Sequence, residues 1–351
     1  QNLDGFGKLN NDGVFSLASF NGVLFAGTLD QNDKIAQIWR KGSAGWEEVI
    51  SDGFEDSNNI SIRSMIAFNG YLYAGTGNYT SDTTSNGGQL WRSPDGYTWQ
   101  PIETDGFGNP NNVEIFYLTQ IGANLCATTL DQAGDGAQLW CSPSGDPGTW
   151  TQDGANGLGN TNNSAFPSSQ TYNGDVFMGT YNTVNGAEIY QKTLPSGSWN
   201  KVAENGMGDS GNQGVSSMAV YNKFLYVAFH HADGGGSTIW RCQICNGSDW
   251  SKVVNNGFNN SNANLDPVLV ALKTGLYAIV GDSVDGLLVY QSKDGLTWVK
   301  VGSNGLGSSN NLETDWSNAA TVLNNTFYLG SVNVYNGGGV WKFCPTSASC
   351  K

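Results

Sequence analysis

The sequence predicts an all-β fold made of repeated four-stranded antiparallel sheets, and three observations carry that expectation. A Gly/Asn segment recurs as GFGKLNN, GFEDSNN, GFGNPNN, GLGNTNN, GMGDSGN, GFNNSNA and GLGSSNN, starting at Gly5, Gly53, Gly106, Gly157, Gly206, Gly257 and Gly305. The intervals are 48, 53, 51, 49, 51 and 48 residues, a period that marks a solenoid, propeller or array. Within each interval the same short apolar runs and hairpin signals follow in the same order. Eleven of the twelve tryptophans fall on two positions of that repeat.

The second repeat shows the plan. After its Gly/Asn turn comes the apolar stretch 61–68, SIRSMIAF, then the hairpin signal Asn69-Gly70, then YLYAGT at 71–76. A polar loop leads to QLWRS at 89–93, and TWQPIE at 98–103 completes four strands. The third strand carries an aromatic at Trp39, Trp91, Trp140, Tyr190, Trp240, Tyr290 and Trp341. The fourth opens with Trp46, Trp99, Trp150, Trp199, Trp250 and Trp298. A four-stranded sheet cannot cover both faces alone, whereas sheets stacked radially cover one another and leave only short edges. The expectation is a seven-bladed β-propeller spanning residues 1–351 as one domain, its tryptophans packed between blades. The Gly/Asn segments then join the outer strand of one blade to the inner strand of the next. Glycine there supplies positive φ, and Asn can fold its amide onto the local backbone. The seventh repeat lacks a Trp-led fourth strand, so the N-terminal QNLDGFG is expected to close it, and an incompletely paired outer edge invites strand addition by another chain.

Composition narrows the partners. The formal charge of −14 and a pI near 4.3 repel phosphate backbones and anionic membranes, and no Lys/Arg run offsets this locally. Nucleic acid is therefore excluded as an expected partner. The most apolar run, 268–280, is broken by Lys273 and Gly275 and is too short to span a bilayer, so no membrane insertion is expected. A chain beginning at Gln1 is compatible with a mature secreted protein. The six cysteines lie as near neighbours: Cys126 with Cys141, Cys242 with Cys245, and Cys344 with Cys350. Local disulfides in an oxidising compartment are favoured over zinc, because the C-x-x-C at 242–245 has no second ligand pair at suitable spacing. Six sequons, at Asn59, Asn78, Asn162, Asn246, Asn259 and Asn324, are expected in loops or turns as glycan acceptors.

Two turns, Ser93-Pro-Asp95-Gly96-Tyr-Thr98-Trp99 and Ser292-Lys-Asp294-Gly295-Leu-Thr297-Trp298, resemble the Asp-box, the S-x-D-x-G-x-x-W turn of sialidase-like propellers. Both are one residue shorter between Asp and Gly. In that family the Asp-box is a structural turn remote from any active site, so the resemblance implies architecture and transfers no catalytic role. The repeat plan is also similar to that of seven-bladed bacterial lectins, although no sugar-binding motif matches residue by residue.

Sialidase-type chemistry needs three arginines on a substrate carboxylate. The chain has four arginines, of which Arg40, Arg92 and Arg241 follow the third-strand aromatic and only Arg63 lies on an inner strand, so that clamp is excluded. Hydrolysis of a glycoside needs two facing carboxyls. Inner-strand acids exist at Glu114, Asp266, Glu313 and Asp315, with Trp316 as the one tryptophan outside the repeat columns. These residues, together with Arg63, are the candidate ligand-binding set; the plainer reading is acids capping a funnel in water and a tryptophan filling a packing irregularity. His230 and His231 read as a solvated loop feature. The acidic segments 131–136 and 281–286 lack a full calcium ligand series, so at most weak Ca²⁺ binding and no cofactor is expected. The leading functional expectation is a secreted, non-enzymatic propeller binding glycans or an extracellular surface through weak repeated sites. Self-association into an extracellular assembly comes second, and glycoside hydrolysis by the inner carboxylates third.

Overall fold

The computed structural model describes residues 4–31, 35–79, 85–232, 234–324 and 326–343. It divides into two compact units, one formed by residues 1–156 with 318–351 and the other by 157–317. The first unit begins with β1 (Gly13–Phe20), β2 (Val23–Leu29), β3 (Ile38–Lys41) and β4 (Trp46–Ile50), paired antiparallel in sequence order. β5 (Asn59–Phe68), β6 (Tyr71–Asn78), β7 (Leu90–Ser93) and β8 (Gln100–Glu103) repeat the arrangement. A third copy is β9 (Asn112–Ile121), β10 (Asn124–Asp131), β11 (Leu139–Ser142) and β12 (Thr151–Gln152).

The second unit holds β13 (Ala165–Tyr172), β14 (Asp175–Tyr181), β15 (Ile189–Thr193) and β16 (Asn200–Ala203) as one sheet. β17 (Asn212–Tyr221), β18 (Phe224–His231), β19 (Thr238–Cys242) and β20 (Ser251–Val254) form the next. β21 (Ala263–Leu272), β22 (Gly275–Asp282), β23 (Leu288–Ser292) and β24 (Trp298–Val301) form its last. The chain then returns to the first unit as β25 (Ala320–Leu323), β26 (Thr326–Gly330) and β27 (Val340–Phe343), a three-stranded sheet. Gly13 bridges Val332, and the Gly5 amide donates to the Gly338 carbonyl at 2.9 Å, so the start of the chain lies along this sheet. Gln1–Leu3, expected to complete it, and the Cys344–Cys350 pair fall outside the described residues.

From Gly53 onward each Gly/Asn segment links a fourth strand to the next first strand, and all seven hold two successive residues in the left-handed region. Gly53 and Phe54 have φ of 62° and 61°, Gly106 and Phe107 66° and 59°, Gly257 and Phe258 57° and 63°. Left-handed backbone costs a bulky L-residue roughly 1–2 kcal/mol, so something must hold Phe there. Its ring does: Phe6, Phe54, Phe107 and Phe258 lie flat on Trp39, Trp91, Trp140 and Tyr290, with centroids 4.9, 4.5, 5.0 and 3.7 Å apart. Each also meets the fourth-strand tryptophan, Phe54 edge-on to Trp99 at 5.6 Å for example.

A polar lock complements the stack. The Asn six residues after the leading Gly returns its amide to that glycine's carbonyl at 2.8–2.9 Å, from Asn11, Asn59, Asn112, Asn163, Asn212 and Asn311. The same amide reaches Gln37, Gln89, Gln138 or Glu188, each of which also accepts from the third-strand aromatic: Trp39, Trp91, Trp140 or Tyr190. The sixth turn, led by Gly257, dispenses with the polar pair, since Ala263 and Leu288 stand at the two positions and pack together with Val280. Asn59 and Asn78, expected as exposed sequons, are therefore corrected: both lie in strands, fully buried, with amides committed to this network. Asn162, Asn246, Asn259 and Asn324 are exposed.

Neighbouring sheets within a unit are stapled by first-strand serines to the next first strand's carbonyl: Ser16 to Ile62, Ser64 to Ile115, Ser168 to Val215 and Ser216 to Pro267, at 2.6–3.0 Å. Disulfides join Cys126 to Cys141 across β10 and β11, and Cys242 to Cys245. Among the described residues no helix is long and apolar enough to cross a membrane.

Candidate functional site

Alternation of side chains along a strand is broken by a bulge, which re-aims the extra residue. First strands bulge at one repeat position, where Phe15, Arg63, Phe116 and Ser216 are the extra residues and Asp266-Pro267 forms a two-residue version. Two of the sequence-predicted residues, Arg63 and Asp266, therefore sit at first-strand bulges, with Pro267 rather than Asp266 in the position of Arg63.

In the first unit, Arg63 Nε meets Glu114 Oε2 at 2.7 Å, with both side chains under one-tenth exposed. The guanidinium lies over Phe116 at 4.2 Å and Phe15 at 5.0 Å, its neighbours on the bulge column. Tyr79 donates to the other Glu114 oxygen at 2.6 Å. Glu114 is thus a buried, paired anion, and its expectation as a water-facing acid is corrected. The arrangement neutralises its own charges and is a structural knot.

The second unit gathers a different set. His230, on β18, brings Nδ1 to 3.1 Å from Asp266 Oδ1, with side chains 19% and 14% exposed. The Trp316 ring packs edge-to-face on Tyr181 with centroids 5.6 Å apart and lies 5.8 Å from the His230 ring. It fills the space that a side chain at residue 214 would need, which is why Gly214 occupies that strand position. Burial, and then the nearby Asp266 charge, raise the Tyr181 phenol above its ordinary pKa. Thr314 donates to the Asp266 carbonyl at 3.4 Å, and Ser317 to that of Pro167 at 3.2 Å, pinning the segment on either side of Trp316. Asp266 and Trp316 are left-handed, with φ of 29° and 46°, outside any repeated glycine turn. Strain of that kind costs on the order of 1–3 kcal/mol and concentrates at functional sites. Asp315 is buried and Glu313 half-buried in the same segment.

Of the predicted set, Asp266 and Trp316 come together, with Glu313 and Asp315 on the Trp316 segment; Arg63 and Glu114 pair elsewhere. Tyr181 was missed altogether, and His230 is corrected from a solvated loop residue to a strand residue packed against an acid and two aromatic rings. His231 turns away, with Nδ1 2.7 Å from the Ala232 carbonyl and Nε2 3.4 Å from Asp209. The one sequence signal was position: His230 stands at the end of a second strand, where the register places Leu29, Gly77, Leu130, Tyr181 and Gly281 in other repeats.

The acidic hairpins are occupied by their own backbone. Asp131 accepts from the amides of Ala133, Gly134 and Gly136, and Asp282 from those of Val284 and Asp285. Among the described residues no group of three or more His, Cys, Asp or Glu side chains is placed to hold a metal ion.

Repeated four-stranded meanders linked first strand to first strand match a known architecture. Residues 195–349 match the family described as DUF6242 beta propeller domain. The GH74 xyloglucanase from Xanthomonas campestris superposes with a TM-score of 0.60 at 15% identity, over 97% of this chain and 52% of that one. The fold is a β-propeller. One of two structurally characterised prolyl endopeptidases superposes on the propeller with a TM-score of 0.55 at 12% identity, over 96% of this chain and 51% of that one. The propeller thus spans about half the length of these structures, and at such identities the likeness concerns the fold alone. No curated protein sequence matches the propeller.

Proposed function

We propose that the chain is an extracellular, carbohydrate-binding β-propeller whose seven repeats close into one ring across residues 1–351, and that it acts by binding. The observation that carries this reading is the second-unit cluster in which Asp266 and Trp316 hold left-handed backbone beside His230 and Tyr181. In a repeat protein the scaffold chemistry recurs in columns; these side chains break the columns and are nonetheless tightly positioned. Recessed aromatic edges beside a carboxylate and an imidazole suit the C–H faces and hydroxyls of a sugar. The two disulfides are compatible with an oxidising, extracellular setting.

A glycan array on the wild-type chain and on Asp266→Asn and His230→Gln variants tests this. We expect the wild type to capture a defined glycan class, and each variant to lose at least ten-fold in affinity, about 1.4 kcal/mol, with unchanged circular dichroism. A wild-type chain that captures no glycan overturns the proposal. Sugar release by the wild type, abolished in a Glu313→Gln, Asp315→Asn variant, would move the reading to glycoside hydrolysis.

Self-association is a second reading, favoured by the sheet β25–β27, which among the described residues has three strands where the other sheets have four. Light scattering across a concentration series tests it, and a strictly monomeric chain removes it.

A further inference from the structure

Two repeat columns fail together at one place in the second unit. In four turns a phenylalanine is sandwiched between the third-strand aromatic and the fourth-strand tryptophan; at the turn before β17 the residue is Met207. The Gln that accepts the third-strand indole N–H in three repeats is here Thr238, whose hydroxyl is turned to Asn212. Trp240 Nε1 is consequently buried with no acceptor, as are the fourth-strand indoles of Trp46, Trp99, Trp150, Trp199, Trp250 and Trp298, whereas the third-strand Trp39, Trp91, Trp140 and Trp341 each have one. The turns at Leu158 and Leu306 also lack Phe, but Tyr190 and Trp341 beyond them keep their hydrogen bonds to Glu188 and Ser331.

Where both columns fail there is a cavity of about 460 Å³, lined by Trp240, Trp250, Met207, Lys201 and Glu204 among others. That volume falls within the range typical of small-molecule sites. Lys201 and Glu204 are exposed and pair at 2.8 Å, so the mouth carries a donor and an acceptor. Lys252 lies 5.0 Å from the Trp240 ring centroid.

We propose that this slot binds a pyranose ring, an inference that rests on the carbohydrate-binding function proposed above and places one of its sites. Two indoles offer apolar walls to the C–H face of a sugar, and Lys201 and Glu204 at the mouth supply a donor and an acceptor for its hydroxyls. A simple arene would stack equally well but form no hydrogen bond with Lys201 or Glu204. A carboxylate ligand would meet Glu204 and, behind Lys201, Glu188 at 3.1 Å from the same ammonium.

The test uses the ¹⁵N-labelled full chain and follows the tryptophan indole N–H resonances while methyl glucopyranoside, methyl galactopyranoside, methyl mannopyranoside and N-acetylglucosamine are titrated in separately. At least one sugar is expected to shift Trp240 and Trp250. Met207→Phe, which restores the repeat, is expected to abolish those shifts while holding or raising the melting temperature. Glu204→Ala, which removes the acceptor at the mouth, is expected to weaken binding about five-fold, the loss of one ordinary hydrogen bond. Undiminished binding in both variants, or shifts confined to other indoles such as Trp316, overturns the slot and leaves the carbohydrate-binding function standing. Shifts produced by phenol but by no sugar overturn the ligand class. No response of any indole to any sugar, together with a blank glycan array, overturns both.

Discussion

At the scale of single residues, the sixth repeat shows that the Asn–Gln lock acts as a pair. Ala263 and Leu288 replace both members and form an apolar contact instead, which physical chemistry allows at little net cost, whereas removing one partner of a buried hydrogen bond leaves the other unsatisfied. A cycle of stabilities checks this. Ala263→Asn alone should destabilise the chain by about 1–3 kcal/mol, the cost of an unsatisfied buried amide. Ala263→Asn with Leu288→Gln should recover most of that loss, since the new amide would again span the Gly257 carbonyl and a strand glutamine. Additive effects of the two changes in denaturant melts would show that the positions are independent.

At the scale of the element, the two Asp-box turns are clamped from within. Asp95 accepts from the amides of Thr98 and Tyr97 at 2.7 and 2.8 Å, and Asp294 from those of Thr297 and Leu296 at the same distances. These bonds lower the Asp95 pKa to about 2, and that of Asp294 further. A carboxyl depressed by folding contributes stability that is present above its unfolded value, near 4, and is lost as pH falls through its folded value. The melting temperature should therefore drop between about pH 4 and pH 2, and the paired Asp95→Asn, Asp294→Asn variant should show a shallower acid limb. An unchanged limb would place the acid sensitivity elsewhere. In the fifth repeat Cys242, bonded to Cys245, stands where Ser93 and Ser292 accept the Gly96 and Gly295 amides, with Asp249 gathering the amides of Gln243, Ile244 and Cys245.

How much of this was legible in the sequence differs by element. Tryptophan columns were readable because indole is rare enough for its period to stand out, and the turns because each Gly leads the same Gly/Asn-rich segment at a near-constant interval. The lock was not, because a buried Asn or Gln looks like any surface polar residue until its partners converge, and so Asn59 and Asn78 read as loop sequons. The bulge column was hidden for another reason: one extra residue in a strand of ten leaves its alternation recognisable while re-aiming Arg63 or Asp266. The acids were named from their place on inner strands, but which of them meet depends on those bulges and on the path of residues 313–317. His230 carries only its strand position as a signal and Tyr181 none, and what they meet, Asp266 and Trp316, is set by tertiary packing.

At the scale of the molecule, the ring closure we propose has a thermodynamic signature. A closed ring in which every sheet leans on two neighbours should unfold in one transition, with calorimetric and van't Hoff enthalpies equal. Two resolved transitions, separating residues 157–317 from the remainder, would instead mark the two compact units as independent folding bodies.

The Asn–Gln lock has a consequence for how such a chain lengthens. Its two halves lie 30 residues apart at Asn59 and Gln89 and 26 apart at Asn112 and Gln138, so each lock is self-contained in one period. The serine staples to the next sheet reach for a main-chain carbonyl, which any neighbour presents. Tandem duplication of one period would hand the copy its own fastening and a docking rule indifferent to what stands beside it. Gene-level gain or loss of modules then meets resistance only from the circumference, which admits a fixed number of sheets.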